Sequence, residues 1–194
     1  MHTDALTQLR NVVDTLVEEG PSLFKFHGDV ALDLFLHDQL NVDDTVTLCV
    51  DRKGLLRFLD LLPHQLDIVF YDTQQQSYTD IQRVKLSEVF NIHLSYMGTL
   101  LLNVYAYDID MDHFVFELNH NFRLKEKHIY FRSLRWGVDY IKPEIVLMYY
   151  FLDAQKKERM KQYIHVIDQL SYFQFVMLQT VVGKQQLEAV LRQR

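Results

Sequence analysis

The chain has 194 residues, 48% of them hydrophobic and 24% charged, which is the composition of a globular protein with one sizeable core. Its 20 Lys and Arg against 26 Asp and Glu leave a formal charge of −6, which argues against nucleic acid as a partner, because phosphate backbones are bound by basic surfaces. The single cysteine excludes an internal disulfide, and we expect a cytoplasmic protein. The longest apolar run, residues 145–152, is far shorter than the roughly 20 residues of a membrane helix, so we expect no membrane partner.

Helical and strand patterns alternate through the first 72 residues. Apolar residues recur at helical spacing from Leu6 to Val17, and the Gly-Pro pair at 20–21 ends this first helix. SLFKF then predicts a short strand, and the apolar residues of 28–36 cover most of a helix, which indicates burial on several sides. TVTLCVD alternates as a strand does, KGLLRFLDLLP returns to helical spacing, and LDIVFYD predicts another strand.

The second half of the chain predicts strands first and helices afterwards. Residues 84–107 are apolar and β-branched in pieces, and HFVFELN and KHIYFRS predict the two strands of a hairpin closed by HNFRLKE. From Lys142 onward the patterns are helical, with Pro143 and Glu144 suited to a first helical turn and Gly183 to a break. We therefore predict an α/β (α+β) chain that ends in helices.

Two separated stretches resemble a known family. GDVALDLFL at 28–36 resembles the Gly-Gly-x-Ala-Leu-Asp-Leu segment of the aminoglycoside and lincosamide nucleotidyltransferases, members of the polymerase-β-like nucleotidyltransferase superfamily. GVDYIKPEIVLMYY at 137–150 resembles the later Tyr-x-x-Pro-Glu-x-x-Leu-x-Tyr segment of the same family. The resemblance implies a nucleotidyltransferase-like core with a mixed sheet and flanking helices at 1–110, a β-hairpin extension at 111–141 and a C-terminal helical part at 142–194.

The chemistry of that family requires two divalent cations held by carboxylates, two of which come from an Asp-x-Asp on a strand. The alternation in TVTLCV buries Val46 and Leu48, so Thr45 and Thr47 occupy the ligand places. A neutral hydroxyl is a poor ligand for Mg²⁺. The third carboxylate would come from the next strand, where Asp67 is the candidate. Because these positions depart from the family pattern, we expect the metal pair to be lost. We therefore predict no catalytic residue, no bound metal and no cofactor.

Further departures from the family remove positive charge from the expected phosphate site. The family's Arg-x-His ahead of Asp-x-Asp corresponds to Asn41 and Asp43, and the lysine after the later segment corresponds to Tyr150. The second glycine of the phosphate-facing turn corresponds to Asp29, which we predict to cap the second helix in place of a phosphate. The candidates for a nucleotide site are Gly28, Asp29, Asp43 and Asp44.

We predict a nucleotidyltransferase-fold pseudoenzyme that binds a small molecule or a protein. One alternative is an active enzyme that regroups its acidic residues around Mg²⁺ and transfers a nucleotidyl group to a small hydroxylated acceptor; the residues are Asp29, Asp43, Asp44 and Asp67. Another is a purely structural protein with a filled cleft and a helical end that binds a protein. The dense apolar segment at 172–182 predicts a homodimer through the C-terminal helices, because one neighbouring layer cannot cover it.

Overall fold

The computed structural model describes residues 2–116, 118, 122–152 and 163–192. Within them the first part of the chain follows the predicted order, with α1 (His2–Glu19), β1 (Lys25–His27), α2 (Gly28–His37), β2 (Val46–Asp51), α3 (Leu55–Asp60) and β3 (Asp67–Asp72). Seven further strands follow: β4 (Ser77–Tyr78), β5 (Val89–Tyr96), β6 (Thr99–Asp110), β7 (His113–Val115), β8 (Arg123–Lys125), β9 (Tyr130–Ser133) and β10 (Val138–Ile141). The remaining helices are α4 (Pro143–Leu152), α5 (Ile164–Gln169), α6 (Tyr172–Val182) and α7 (Lys184–Leu191).

The strands of the described residues form one mixed sheet in the order β4-β3-β5-β6-β2-β1-β10-β9, with β7 paired to β6 and β8 to β7. The pairs β2–β6 and β1–β10 are parallel, and the other pairs are antiparallel. This confirms the predicted fold class, an α/β arrangement with flanking helices, a β extension and helices at its C-terminal side.

One face of the sheet is a continuous apolar surface. Residues opposite each other in register share a face, and five buried side chains lie in one such row across β1, β2, β6, β5 and β3: Phe26, Leu48, Val104, Ile92 and Phe70. The row continues to Tyr140 on β10. On the same side Phe24 lies 6.5 Å from Phe58 of α3 between ring centroids. This face therefore belongs to the core.

The predicted hairpin between residues 113–119 and 127–133 is wrong. β7 pairs with β8, so the hairpin closes earlier, and β9 pairs with β10 instead. The turn between β9 and β10 is tight, because Gly137 adopts a φ of +66° and its N–H donates to Ser133 O at 2.9 Å. Since β10 lies beside β1, the predicted extension at 111–141 includes two strands of the main sheet.

The helix α4 is buried along almost its whole length, from Pro143 to Phe151. Its residues are apolar on every side except for Glu144, which is typical of a helix covered by several layers. The aromatic ring of Tyr149 on this helix stacks on Tyr105 of β6 with centroids 5.6 Å apart. Helices therefore lie against both faces of the sheet.

Among the described residues, no helix combines the length and the apolar character needed to cross a membrane.

The side chain of Arg52 ties the end of β2 to two other segments. Its guanidinium donates to both carboxylate oxygens of Asp108 on β6, at 2.8 and 3.1 Å. It also donates to the carbonyl of Leu86 at 2.9 Å and to the carbonyl of Val89. Four acceptors are thus bound by one planar fork, which a lysine ammonium cannot reproduce.

We expect Arg52→Lys to lower the free energy of unfolding by about 1–3 kcal/mol, because it leaves partly buried acceptors without donors. The matched control is Arg10→Lys, at the exposed ion pair between Arg10 and Asp43, which we expect to change stability by less than about 0.5 kcal/mol. Urea denaturation of both variants measures the difference. Equal midpoints for the two variants would contradict the role given to Arg52.

Candidate functional site

The face of the sheet opposite the apolar row carries polar and aromatic side chains. Two rows in register run along it, and we call them together the polar face: His27, Thr47, Asn103 and His93 form one row, and Lys25, Cys49, Tyr105, Asn91 and Tyr71 form the other. Because side chains alternate along a strand, the burial of the apolar row forces these residues to the other side.

A cavity of about 390 Å³ lies on this polar face, and we call it the central cavity. Ten described residues line it: His27, Tyr71, Gln75, Phe90, Asn91, His93, Tyr105, Leu118, Tyr149 and Leu152. None of the ten is an Asp, Glu, Lys or Arg, and burial lowers the pKa of His93 below its usual range, which favours its neutral imidazole. The volume lies within the range of small-molecule sites, and the described wall favours an uncharged ligand.

Aromatic rings form much of this wall. Tyr149 lies edge-on to His27 with centroids 5.0 Å apart, and Tyr71 lies 4.7 Å from His93. Phe90 lies 5.6 Å from Tyr105. Such spacings are those of favourable aromatic pairs, and the same ring surfaces can stack on a planar ligand.

Two amide oxygens on the polar face lack a hydrogen-bond partner among the described residues. Asn91 lines the central cavity and its Oδ1 is buried there, and Asn103 Oδ1 belongs to the row between Thr47 and His93. Leaving a buried acceptor unpaired costs about 1–3 kcal/mol, so such atoms in a cleft are suited to N–H or O–H groups of a ligand.

Thr47 lies beside the N-terminus of α2. Gly28 there has a φ of +66°, and a Cβ on it would come within 3.1 Å of Thr47 Cβ and 3.2 Å of Tyr150 Oη. A side chain larger than hydrogen would therefore be crowded at this turn and would strain the backbone. Thr45 lies at the exposed end of the strand, where its hydroxyl donates to Leu100 O at 3.2 Å.

The structure separates Asp67 from the two threonines. β3 is not the neighbour of β2, because β5 and β6 lie between them, and Asp67 is opposite Ser95 of β5. With about 4.8 Å per strand, three steps place Asp67 about 14 Å from β2. The residue in register with Thr47 on the adjacent parallel strand is Asn103, which the sequence reasoning missed. In the sequence, the only indication of this position is one amide residue within the otherwise apolar and aromatic run LLLNVYAY.

The other two acidic candidates, Asp43 and Asp44, accept hydrogen bonds from neighbouring groups of the chain. Asp43 Oδ1 accepts from Arg10 of α1 at 2.6 Å, and Asp44 Oδ1 accepts from the N–H of Thr45 at 2.7 Å. The described parts of the chain contain no group of three or more His, Cys, Asp or Glu that could hold a metal ion. Burial raises the pKa of the Cys49 thiol, which therefore stays protonated as a packing residue.

The predicted capping role of Asp29 is wrong. The residue at the cap position of α2 is His27, which makes no side-chain capping bond, and Asp29 lies inside the first turn. Its Oδ1 instead accepts from the hydroxyls of Tyr150 at 3.0 Å and Tyr163 at 2.9 Å. The helix begins two residues earlier than a cap at Asp29 would require, and the carboxylate contacts the C-terminal helical part rather than its own amides.

Tyr150 occupies the space beside Gly28, and Tyr163 packs against Tyr150. Their rings lie 4.9 Å apart, and both side chains are buried. Burial first, and then the charge of Asp29, raises the pKa of Tyr150, so its hydroxyl stays a donor. The chain itself thus fills the space next to Gly28, whereas the central cavity elsewhere on the polar face is open.

The aromatic segment at 172–182 is partly covered. Leu178 and Val182 are buried, whereas Tyr172 is 85% exposed and Phe173 is 70% exposed. This arrangement buries one side of α6 within the chain. Self-association through the remaining side stays a prediction.

We expect Asp29→Ala to destabilise the protein by about 1–3 kcal/mol, because two buried hydroxyls lose this charged acceptor. Asp29→Gly should be worse than Asp29→Ala by about 0.5–1 kcal/mol, since glycine is unfavourable within a helical turn. A capping residue would show the reverse order. Urea midpoints decide between the two orders. As control, Asp29→Ala should have a smaller effect when Tyr150→Phe and Tyr163→Phe are already present.

No protein-family model matches the chain, and no curated protein matches it. Among solved structures, the chain is similar to the crystal structure of the Megavirus polyadenylate synthase, with a TM-score of 0.46 and 13% sequence identity. The similarity covers 98% of this chain and 35% of the other, so the chain spans about a third of that protein's length. At this TM-score the similarity carries no information about what the chain does.

Proposed function

We propose that the chain is a nucleotidyltransferase-fold protein that has no metal-dependent transferase activity and acts by binding an uncharged, planar small molecule in the central cavity. The observation that carries the proposal is the composition of the polar-face row beside Gly28. In this row Thr47, Asn103 and His93 stand where metal binding would require carboxylates. The open cavity adjoins this row through His27 and His93.

The absence of acidic side chains from this row argues against nucleotidyl transfer. Two-metal chemistry requires anionic ligands that hold both cations against the triphosphate, and neutral hydroxyl and amide oxygens bind Mg²⁺ weakly. A triphosphate would also require cationic partners, and the described wall of the central cavity has no Lys or Arg. Charge therefore disfavours both the metal pair and the nucleotide.

The lining favours a different kind of ligand. The rings of Tyr71, Phe90 and Tyr149 give the cavity an aromatic wall, and the side chain of Asn91 places an acceptor beside it. A planar ring that carries an N–H or O–H group would use both features.

The contacts of the acidic residues speak against the alternative of an active enzyme. Asp29 is engaged by two tyrosines, Asp43 by Arg10 and Asp44 by its own turn, and Asp67 lies on a distant strand. Regrouping them around one metal would break each of these contacts. The purely structural alternative is favoured by the tyrosines beside Gly28 and disfavoured by the open central cavity.

We expect ligand-observed NMR with uncharged aromatic fragments, adenosine among them, to give hits that do not depend on Mg²⁺. Asn91→Leu should abolish these hits, since it removes the acceptor, while Asn41→Leu, at an exposed position outside the cavity, should retain them. ATP with Mg²⁺ should not raise the melting temperature. Micromolar, metal-dependent binding of ATP, or a screen without a hit, would overturn the proposal.

Restoring carboxylates should restore a metal site if the row beside Gly28 is its former place. We expect Thr47→Asp with Asn103→Asp to gain Mn²⁺ affinity, because the two positions are direct neighbours on parallel strands. The control, Thr45→Asp alone, relies on the distant Asp67 and should gain none. Electron paramagnetic resonance of added Mn²⁺ reports both. If the double variant leaves Mn²⁺ free, this row is not a former metal site.

A further inference from the structure

A second cavity, of about 340 Å³, lies where the starts of α4 and α6 meet β8 and β9, and we call it the acidic cavity. Its polar lining consists of His128, Lys142, Glu144, Ser171 and Gln174, and its apolar wall consists of Leu124, Phe131, Phe173 and Met177. Nothing in the proposed function involves these residues, and none of them lines the central cavity.

The carboxylate of Glu144 is buried and half satisfied. Its side chain is 0% exposed, and Oε2 accepts from Gln174 Nε2 at 2.6 Å. Oε1 has no hydrogen-bond partner among the described residues. Burial raises the pKa of this carboxyl, while its place in the first turn of α4 favours the ionised form. A buried carboxylate needs hydrogen bonds on both oxygens, and Oε1 has none among the described residues.

The charge of Lys142 lowers the pKa of Glu144 against the effect of burial, but Lys142 donates no hydrogen bond to Glu144 Oε1. Lys142 also lines the acidic cavity, but its Nζ lies over the ring of Phe131, 4.8 Å from the centroid. None of the ion pairs within the described residues includes Glu144. The ammonium of Lys142 therefore lies at the aromatic wall, and Oε1 has no hydrogen-bond donor among the described residues.

The wall is suited to an apolar body. Phe131 and Met177 present carbon and sulfur surfaces, and Phe173 extends the wall to the mouth while remaining 70% exposed. Methionine and aromatic side chains adapt well to small apolar ligands. The buried carboxylate of Glu144 beside an apolar wall is suited to a molecule with a cationic end and an apolar end.

We propose that the acidic cavity binds an amine carried on an aromatic or aliphatic body, with the ammonium donating to Glu144 Oε1 and the body packing against Phe131, Phe173 and Met177. The ammonium supplies the donor that Oε1 lacks, together with a positive charge in direct contact, whereas Lys142 forms no ion pair with this carboxylate. An ordered water could supply the donor but not the charge.

The test uses the full chain and 2-phenylethylamine as the probe, with 2-phenylethanol as the uncharged analogue of similar shape. We expect the amine to bind at least about tenfold more tightly than the alcohol, because a charge-assisted bond to a buried acceptor is the stronger one. Glu144→Gln should weaken amine binding by about 10- to 100-fold, the range for losing a hydrogen bond to a charged group. Titration followed by NMR of the Met177 methyl group measures both.

Surface variants keep the test decisive if Glu144→Gln does not fold. Phe173→Ala removes part of the wall and should weaken amine binding by at least about threefold, whereas Tyr172→Ala, its neighbour outside the cavity, should not. Asn91→Leu, in the central cavity, should also leave amine binding unchanged, which separates this result from the fate of the proposed function. Equal binding of amine and alcohol, no binding, or equal effects of the Phe173 and Tyr172 variants would overturn the proposal.

Discussion

The two-residue period of the strands is the constraint on which the rest of the molecule depends. Once the row from Phe26 to Phe70 is buried, every intervening residue of the same strands must face the other way. The polar face is therefore as strongly fixed as the core. A slip of one residue in β5, for example, would place Asn91 or His93 in the core, so the register that builds the core also builds the polar face.

Periodicity allowed the helices and strands of the first 72 residues to be predicted, and it placed Val46 and Leu48 correctly in the core. It could not give the order of strands in the sheet, because β5 and β6 enter between β3 and β2 from later in the chain. The distance of Asp67 from Thr47 and the neighbourhood of Asn103 both follow from that insertion. Sequence spacing has no information about such long-range pairing.

The environment of Asp29 was equally hidden from local reasoning. A carboxylate at the start of a helix indicates a cap, yet its hydroxyl donors come from Tyr150 and Tyr163, far along the chain. The positive φ of Gly28 decides between the two arrangements, and a glycine alone does not reveal which φ it adopts. Similarly, Glu144 fits a first helical turn by sequence, but its complete burial results from α6 packing over it.

The position of β10 beside β1 affects the order in which the strands can pair during folding. The short strand β1 lies between β2 and β10, and its parallel partner begins only at Val138. During synthesis from the N-terminus, one edge of β1 stays without its backbone partner until residues 138–141 have emerged. Such a late, non-local pairing slows folding and leaves an open strand edge meanwhile. The interval between emergence of β2 and of β10 is therefore when the nascent chain is most exposed to edge-to-edge association.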